Sequence, residues 1–184
     1  MFFENQKRLK FIALSLGLLS FGCGRPTETA TAQRPTRPTL SAPKEQLVPS
    51  FYTVAHYGDE RDVEADLKMT LARASTEKKR VLLQVGGEWC GWCKRLTSFI
   101  EKNETVRASV ERNYLLMKVT FTPKQPNDAF LSKYPAIKGY PHLFVLDAEG
   151  NLLHSQDTGV LEDGKDGYVE DKVVAFLEEW KSKD

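Results

Sequence analysis

The sequence predicts an α/β domain with a mixed β-sheet over residues 51–184. Apolar runs at 81–85 and 114–121 are typical of strands buried on both faces, and a helical stripe precedes the first run. Two further apolar segments, at 143–146 and 152–155, flank a turn and favour a hairpin. Helix–strand alternation followed by a hairpin indicates parallel strands with crossover helices and an antiparallel edge.

Four helices are predicted around these strands. The first has apolar residues spaced by four, four and three, and the second begins near Cys90, after the break at Gly86 and Gly87. A third, short helix is expected at 128–134, and the last helix presents one apolar face. The apolar positions are Val63, Leu67, Leu71 and Ala74 in the first helix, Leu96, Phe99 and Ile100 in the second, and Val169, Val173, Phe176, Leu177 and Trp180 in the last.

Residues 1–22 have the pattern of an export signal. A positively charged start precedes an uncharged apolar segment at 11–21, which is too short for a bilayer span of about 20 residues. The alternative is a buried N-terminal helix. The positive charges are those of Lys7, Arg8 and Lys10.

The end of this leader resembles the lipobox of bacterial lipoproteins. Gly22 and Cys23 fit that motif, although Ser20 stands where the family usually places Leu. The resemblance implies that Cys23 is lipidated and becomes the mature N-terminus, and Gly24 in place of Asp favours the outer membrane. An ordinary signal peptide with a chance cysteine is the alternative.

Residues 23–50 are predicted to form the lipidated N-terminus and a disordered linker. They are rich in Pro and Thr and hold few large apolar groups that could offset ordering entropy. The whole chain carries 26 Lys and Arg against 25 Asp and Glu, a formal net charge of +1. This balance gives no reason to expect a nucleic-acid partner.

Cys90 and Cys93 stand three residues apart, where a buried strand gives way to a helix. At a helix start, unpaired N–H groups and the helix dipole favour a thiolate, which is the nucleophilic form of cysteine. The second cysteine lies one turn further on the same face and can attack a mixed disulfide formed at the first. The sequence therefore predicts Cys90 as the nucleophile and Cys93 as the resolving thiol. Gly91 and Trp92, which lie between them, are expected to tune the redox balance of the pair.

Other interpretations of the cysteine pair are a structural zinc site, a structural disulfide and a copper site. Structural zinc usually takes four Cys or His ligands, and the chain has no second CxxC and only single histidines. A bridge across so short a loop constrains little of the unfolded chain. Copper(I) suits thiolates, and a copper site would use Cys90, Cys93 and a histidine. We expect no bound metal and no cofactor. The histidines are His56, His142 and His154.

Residues 88–94 read EWCGWCK after a buried strand and resemble the active-site segment of thioredoxins. Residues 139–142 read GYPH and match the position of that family's cis-proline, and the resemblance extends over most of 60–182. It implies a thioredoxin fold, thiol–disulfide exchange, and a cis Pro141 that exposes backbone for an incoming substrate strand. The residues implied in substrate contact are Trp89, Gly91, Trp92, Tyr140, Pro141 and His142.

The chain departs from thioredoxin at three positions. Gln84 stands where thioredoxin has a buried acid that moves protons for the second cysteine, so this role is vacant or passes to Glu88, His142 or water. Trp92 replaces the usual proline between the cysteines, and His142 follows Pro141 in place of Thr. His142 either stabilises a thiolate as imidazolium or packs at the start of a strand.

These features predict an exported oxidoreductase on the periplasmic side of the bacterial envelope, bound to the membrane through Cys23. Its expected partners are protein disulfide or dithiol substrates, and a reductase would also need an electron donor in the membrane. Reductase, oxidase and isomerase remain alternative directions because the potential depends on thiolate stabilisation. A peptide-binding or chaperone module on the same scaffold is the alternative from another functional class.

Overall fold

The computed structural model describes residues 48–183, which form a five-stranded sheet with helices on both faces. The predicted signal segment, Cys23 and nearly all of the predicted linker lie outside the described residues. The strands are β1 (Tyr52–Val54), β2 (Arg80–Gly86), β3 (Tyr114–Thr120), β4 (His142–Leu146) and β5 (Leu152–Asp157). The helices are α1 (Val63–Glu77), α2 (Gly91–Lys102), α3 (Glu104–Asn113), α4 (Asp128–Leu131) and α5 (Glu170–Trp180), with a 3-10 helix at Thr158–Leu161.

The sheet has the order β1-β3-β2-β4-β5 and is mixed, as predicted. Strand β3 pairs in parallel with β1 and β2, whereas β4 pairs antiparallel with β2 and β5. Strand β2 therefore lies at the centre of the sheet, and all of its residues after Arg80 are buried. The short edge strand β1 was not predicted.

Helix α1 is confirmed, and its start has a clear physical cause. The Asp62 carboxylate accepts hydrogen bonds from the N–H groups of Glu64 and Ala65, each at 3.1 Å. Asn103 ends α2 and begins α3, since its side chain accepts from the Val106 N–H at 2.9 Å. The prediction of one helix here was wrong because neither Gly nor Pro marks the break. No helix within 48–183 is both long and apolar enough to cross a membrane.

The sheet separates two apolar layers, because side chains alternate along each strand. Leu82, Leu116 and Val145 face a layer formed with α2, α3 and α5. On the opposite face, Leu83 and Phe144 pack in a layer with α1 and α4. Each fully buried large aliphatic side chain contributes roughly 1.5–3 kcal/mol. The cysteine helix α2 is thereby fixed on one face of the central strand.

Candidate active site

Cys90 and Cys93 form a disulfide at the start of α2, with a Cα–Cα distance of 5.2 Å. Cys90 is the residue that caps the helix: its Sγ accepts from the Cys93 N–H at 3.0 Å, and its own N–H donates to the Gly87 carbonyl at 3.0 Å. Cys90 is 4% exposed and Cys93 is fully buried. The first sulfur thus lies against helix N–H groups, which favour negative charge there.

Two glycines at the end of β2 allow this close approach. A Cβ on Gly86 would lie 2.4 Å from Cys93 Sγ, and a Cβ on Gly87 would lie 2.4 Å from Trp89 Nε1. Real Cβ atoms essentially never approach a non-bonded heavy atom this closely, so any larger residue would displace the disulfide or the Trp89 ring. The glycine pair therefore does more than break the strand, which is all that the sequence indicated.

The Tyr140–Pro141 peptide bond is cis, as predicted. It lies beside the disulfide, because the next residue, His142, pairs with Val85 just before the glycines of β2. The Pro141 carbonyl accepts a buried hydrogen bond of 2.7 Å from the Thr158 hydroxyl. No hydrogen bond to the described residues engages the backbone of Tyr140, so this residue offers a free N–H and C=O next to the cysteines.

Three aromatic side chains form a wall between the cysteine helix and the cis-proline loop. The rings of Phe121 and Tyr140 stack at 4.9 Å, and Trp89 meets Tyr140 edge to face at 5.6 Å. Trp89 Nε1 donates to the Phe121 carbonyl at 2.8 Å, yet the residue is 58% exposed. An exposed indole held in one orientation suits contact with another macromolecule.

Trp92 lies on the other side of the disulfide and is only half-buried. Its ring packs edge to face on Tyr168 at 5.6 Å, and the Arg95 guanidinium covers it at 5.0 Å from the ring centroid. Arg95 also pairs with Asp166 at 3.2 Å, so the segment before α5 holds the residue between the cysteines in place. Burial raises the pKa of Tyr168 to about 12, and it stays a neutral phenol.

His142 is 5% exposed and faces the α1 side of the sheet, away from α2. Its ring packs on Phe144 at 4.7 Å and its Nε2 lies 2.9 Å from the Ser155 hydroxyl. Burial lowers the pKa of His142 below its ordinary value, although Asp157 opposes this shift. A neutral, buried imidazole matches the packing interpretation of His142 and disfavours the imidazolium interpretation.

The inner side of the disulfide is polar. Gln84 is fully buried, and its Nε2 donates to the Cys93 carbonyl at 3.3 Å and to the Thr97 hydroxyl at 3.4 Å. Gln84 Oε1 and the Tyr57 hydroxyl are both buried as well. Cys93, Tyr57 and Lys118 line a cavity of about 580 Å³ that opens behind the disulfide.

Several of these groups were not identified in the sequence as site residues. Thr158 and Tyr168 lie far along the chain from the cysteines, and no local motif marks them. Lys118 offered a signal, because it is the charged residue inside an apolar run predicted as a buried strand. In the part of the chain that the structure describes, no cluster of three or more His, Cys, Asp or Glu is arranged to hold a metal ion.

Comparisons with known proteins agree with this geometry. Residues 62–148 match the thioredoxin-like family. The thiol:disulfide interchange proteins DsbD of Vibrio vulnificus strains CMCP6 and YJ016 are each 31% identical over 103 residues, which cover 55% of this chain and 17% of the relative. The chain thus corresponds to a small part of the length of these curated relatives.

The fold also has a counterpart among solved structures. A disulphide isomerase from Xylella fastidiosa Temecula1 superposes with a TM-score of 0.57 at 21% identity, over 67% of this chain and 94% of that chain. At this identity the likeness concerns the fold. Together with the family match over residues 62–148, it shows that the described residues have a thioredoxin-like fold, and this fold holds the Cys90–Cys93 pair.

Proposed function

We propose that this protein is a thiol–disulfide oxidoreductase in which Cys90 is the nucleophile and Cys93 the resolving thiol. The observation that carries the proposal is the Cys90–Cys93 disulfide at the N-terminus of α2, beside the cis Pro141. The relatives named as thiol:disulfide interchange proteins support it as well. A purely structural bridge would explain neither the helix-capping sulfur nor the unpaired backbone next to it.

The reaction proceeds through two exchanges. The Cys90 thiolate attacks one sulfur of a substrate disulfide, which forms a mixed disulfide and releases the other substrate sulfur as a thiolate. Cys93 then loses its proton and attacks Cys90 Sγ, so the Cys90–Cys93 bond forms and the second substrate thiolate leaves. Two electrons pass from the protein to its substrate, and the reverse sequence passes them from a substrate dithiol to the protein.

The proposed substrates are extended protein segments. The unpaired N–H and C=O of Tyr140 can add a substrate strand by backbone hydrogen bonding, as at other free strand edges. Trp89, Trp92 and the exposed Gly91 border the same end of α2. They would contact substrate side chains on either side of the substrate cysteine that Cys90 attacks. Pro141 fixes the loop. We leave His142 out of this surface because its side chain is buried.

The proposed location is the bacterial envelope, with residues 1–22 as signal peptide and Cys23 as a lipidated N-terminus in the outer membrane. The linker to residue 50 would hold the domain of residues 51–184 away from the membrane, within reach of protein substrates and of a membrane electron donor. Acyl chains contribute about 0.8 kcal/mol for each buried CH₂. A Cys23→Ser variant should therefore leave the detergent phase or remain unprocessed, and wild-type protein that starts elsewhere than Cys23 would contradict the anchor.

A trapping experiment tests the assigned roles of the cysteines. In a Cys93→Ala variant, Cys90 should stall as a covalent mixed disulfide with its partner, which non-reducing electrophoresis and mass spectrometry would identify. Cys90→Ala is the matched control and should trap nothing. Equal adducts in the two variants, or none in either, would reject the roles. Peptide binding that persists in the variant lacking both cysteines, without any adduct from Cys93→Ala, would instead favour the binding module.

A further inference from the structure

Lys118 is a buried cation that forms no direct ion pair with any described residue. It is 7% exposed in the middle of β3, and its ammonium lies 5.4 Å from the ring centroid of Tyr52 and 5.3 Å from that of Tyr57. No ion pair or hydrogen bond joins its Nζ to a residue within 48–183. Burial of an unpaired charge is unfavourable, so the position of Lys118 calls for a functional explanation.

The register of the sheet places Lys118 behind the resolving cysteine. Lys118 pairs with Gln84 across β3 and β2, and the Gln84 amide contacts the Cys93 carbonyl. The Tyr57 hydroxyl and Cys93 Sγ both lie close to the position that a Cβ on Gly86 would occupy, at 3.1 Å and 2.4 Å. Lys118, Tyr57 and Cys93 also line one cavity. The ammonium therefore lies on the same cavity as the Cys93 side of the disulfide.

We propose that Lys118 is a positioning residue that stabilises the thiolate of Cys93. This inference rests on the proposed exchange, in which Cys93 must carry negative charge twice. It does so when it attacks the mixed disulfide, after releasing its proton to solvent, and when it leaves Cys90 during reduction of the protein. Gln84 cannot supply or remove charge, so the cation on the neighbouring strand takes this part.

The remaining ionisable groups around the cavity set the background for this effect. Burial lowers the pKa of Lys118, while Glu101 and Glu88 raise it and so help to keep the ammonium charged. A thiolate on Cys93 would also raise the pKa of Lys118, so the ionisations of the two groups are coupled. Other ionisable side chains line this cavity as well. They come from β1, the segment after β1, the loop before α2, and α2 itself, and they are Tyr52, His56, Tyr57, Glu88, Lys94 and Glu101.

The direct test measures the ionisation of Cys93 alone. In the full chain with Cys23→Ser and Cys90→Ser, ultraviolet thiolate absorbance is followed against pH. Adding Lys118→Met or Lys118→Gln should raise the thiol pKa of Cys93 by about one unit or more, as expected for loss of an opposite charge on the same cavity. Lys118→Arg should keep it near the starting value. Circular dichroism establishes that each variant is folded, and two neutral variants guard against failure of one.

Kinetics give a second readout. When the reduced protein with both active-site cysteines reacts with Ellman's reagent, the second release of aromatic thiolate reports attack by Cys93. Near neutral pH this phase should slow about three- to fourfold in Lys118→Met, because fewer thiolates form but each is a stronger nucleophile. Lys94→Met is the matched control, since Lys94 lies on the same cavity but is exposed, and its effect should be much smaller.

Two results would overturn the assignment of Lys118. One is an unchanged Cys93 titration in both neutral variants, and the other is an equal shift in Lys94→Met. Failure of the proposed function is a separate outcome. If Cys90 never traps a partner, the proposed oxidoreductase function is rejected. The titration of Cys93 would still decide whether Lys118 stabilises the Cys93 thiolate.

Discussion

Gly86 lies where the end of β2 supports the disulfide, and a single methyl group there should alter redox behaviour. A Cβ at this position would lie 2.4 Å from Cys93 Sγ. Since non-bonded heavy atoms pack at about 3.5–4.0 Å, Gly86→Ala requires Cys93 to move by about 1 Å or more. Overpacking of this kind costs about 1–3 kcal/mol.

The cost should fall mainly on the oxidised protein. There Cys93 Sγ is tied to Cys90, whereas in the dithiol form it can rotate away from the new methyl group. If the oxidised form bears all of the cost, the reduction potential rises by about 20–60 mV, because about 30 mV corresponds to 1.4 kcal/mol for a two-electron couple. The assay equilibrates the Cys23→Ser protein with graded glutathione buffers and counts free thiols by alkylation.

Gly139→Ala is the matched control. Gly139 belongs to the cis-proline loop, but a Cβ there would meet nothing within 4 Å. It should leave both the potential and urea unfolding of the oxidised protein close to wild type. Gly86→Ala protein with a wild-type potential and wild-type stability would refute the reasoning. An equal loss of stability in both redox forms would show that Cys93 gains no freedom on reduction.

Three other substitutions address the surroundings of the disulfide. Trp89→Phe removes the 2.8 Å hydrogen bond from the exposed indole to the Phe121 carbonyl, so the free energy of unfolding in urea should change by less than about 1 kcal/mol. The rate of insulin reduction should fall more than the rate of reduction of a small disulfide. Thr158→Val leaves the buried Pro141 carbonyl without its donor and should cost about 1–3 kcal/mol in urea unfolding, whereas Thr158→Ser should cost less. Because burial lowers the pKa of His142, the unfolded chain binds the proton more tightly, and stability should fall as pH drops below the unperturbed value of 6.5. His142→Gln should show a smaller loss between neutral pH and pH 5 in urea unfolding, and an equal loss would place the acid sensitivity elsewhere.

The parts of the fold that depend on local patterns were predictable. The run at 81–85 and the stripe that ends at Ala74 each carry their own periodicity, and the cysteine spacing is meaningful at any strand–helix junction. Strand β1 escaped prediction because three residues are too few to show alternation. The break at Asn103 escaped because an asparagine that caps a helix differs from one inside a helix only in backbone geometry.

The residues of the candidate site also fall into two groups: some are marked by a local motif, and the others are placed only by the tertiary structure. Cys90, Cys93 and Pro141 belong to short motifs, so their expected positions could be stated from the sequence. The orientation of His142 depends on which face of β4 meets α1, and the place of Lys118 depends on its register with Gln84. Thr158 reaches Pro141 only because β5 returns beside β4. These facts arise from pairing between distant segments, which no local pattern records.

Because of where the three tryptophans lie, intrinsic fluorescence should report the redox state of the cysteine pair. Trp89 and Trp92 each directly precede a cysteine of the pair, whereas Trp180 stacks on His154 near the end of α5. A disulfide accepts an electron from an excited indole at short range and suppresses its emission, so reduction should brighten the first two rings and leave the third unchanged. Intrinsic fluorescence would then follow electron flow in real time, without a dye or an added thiol reagent.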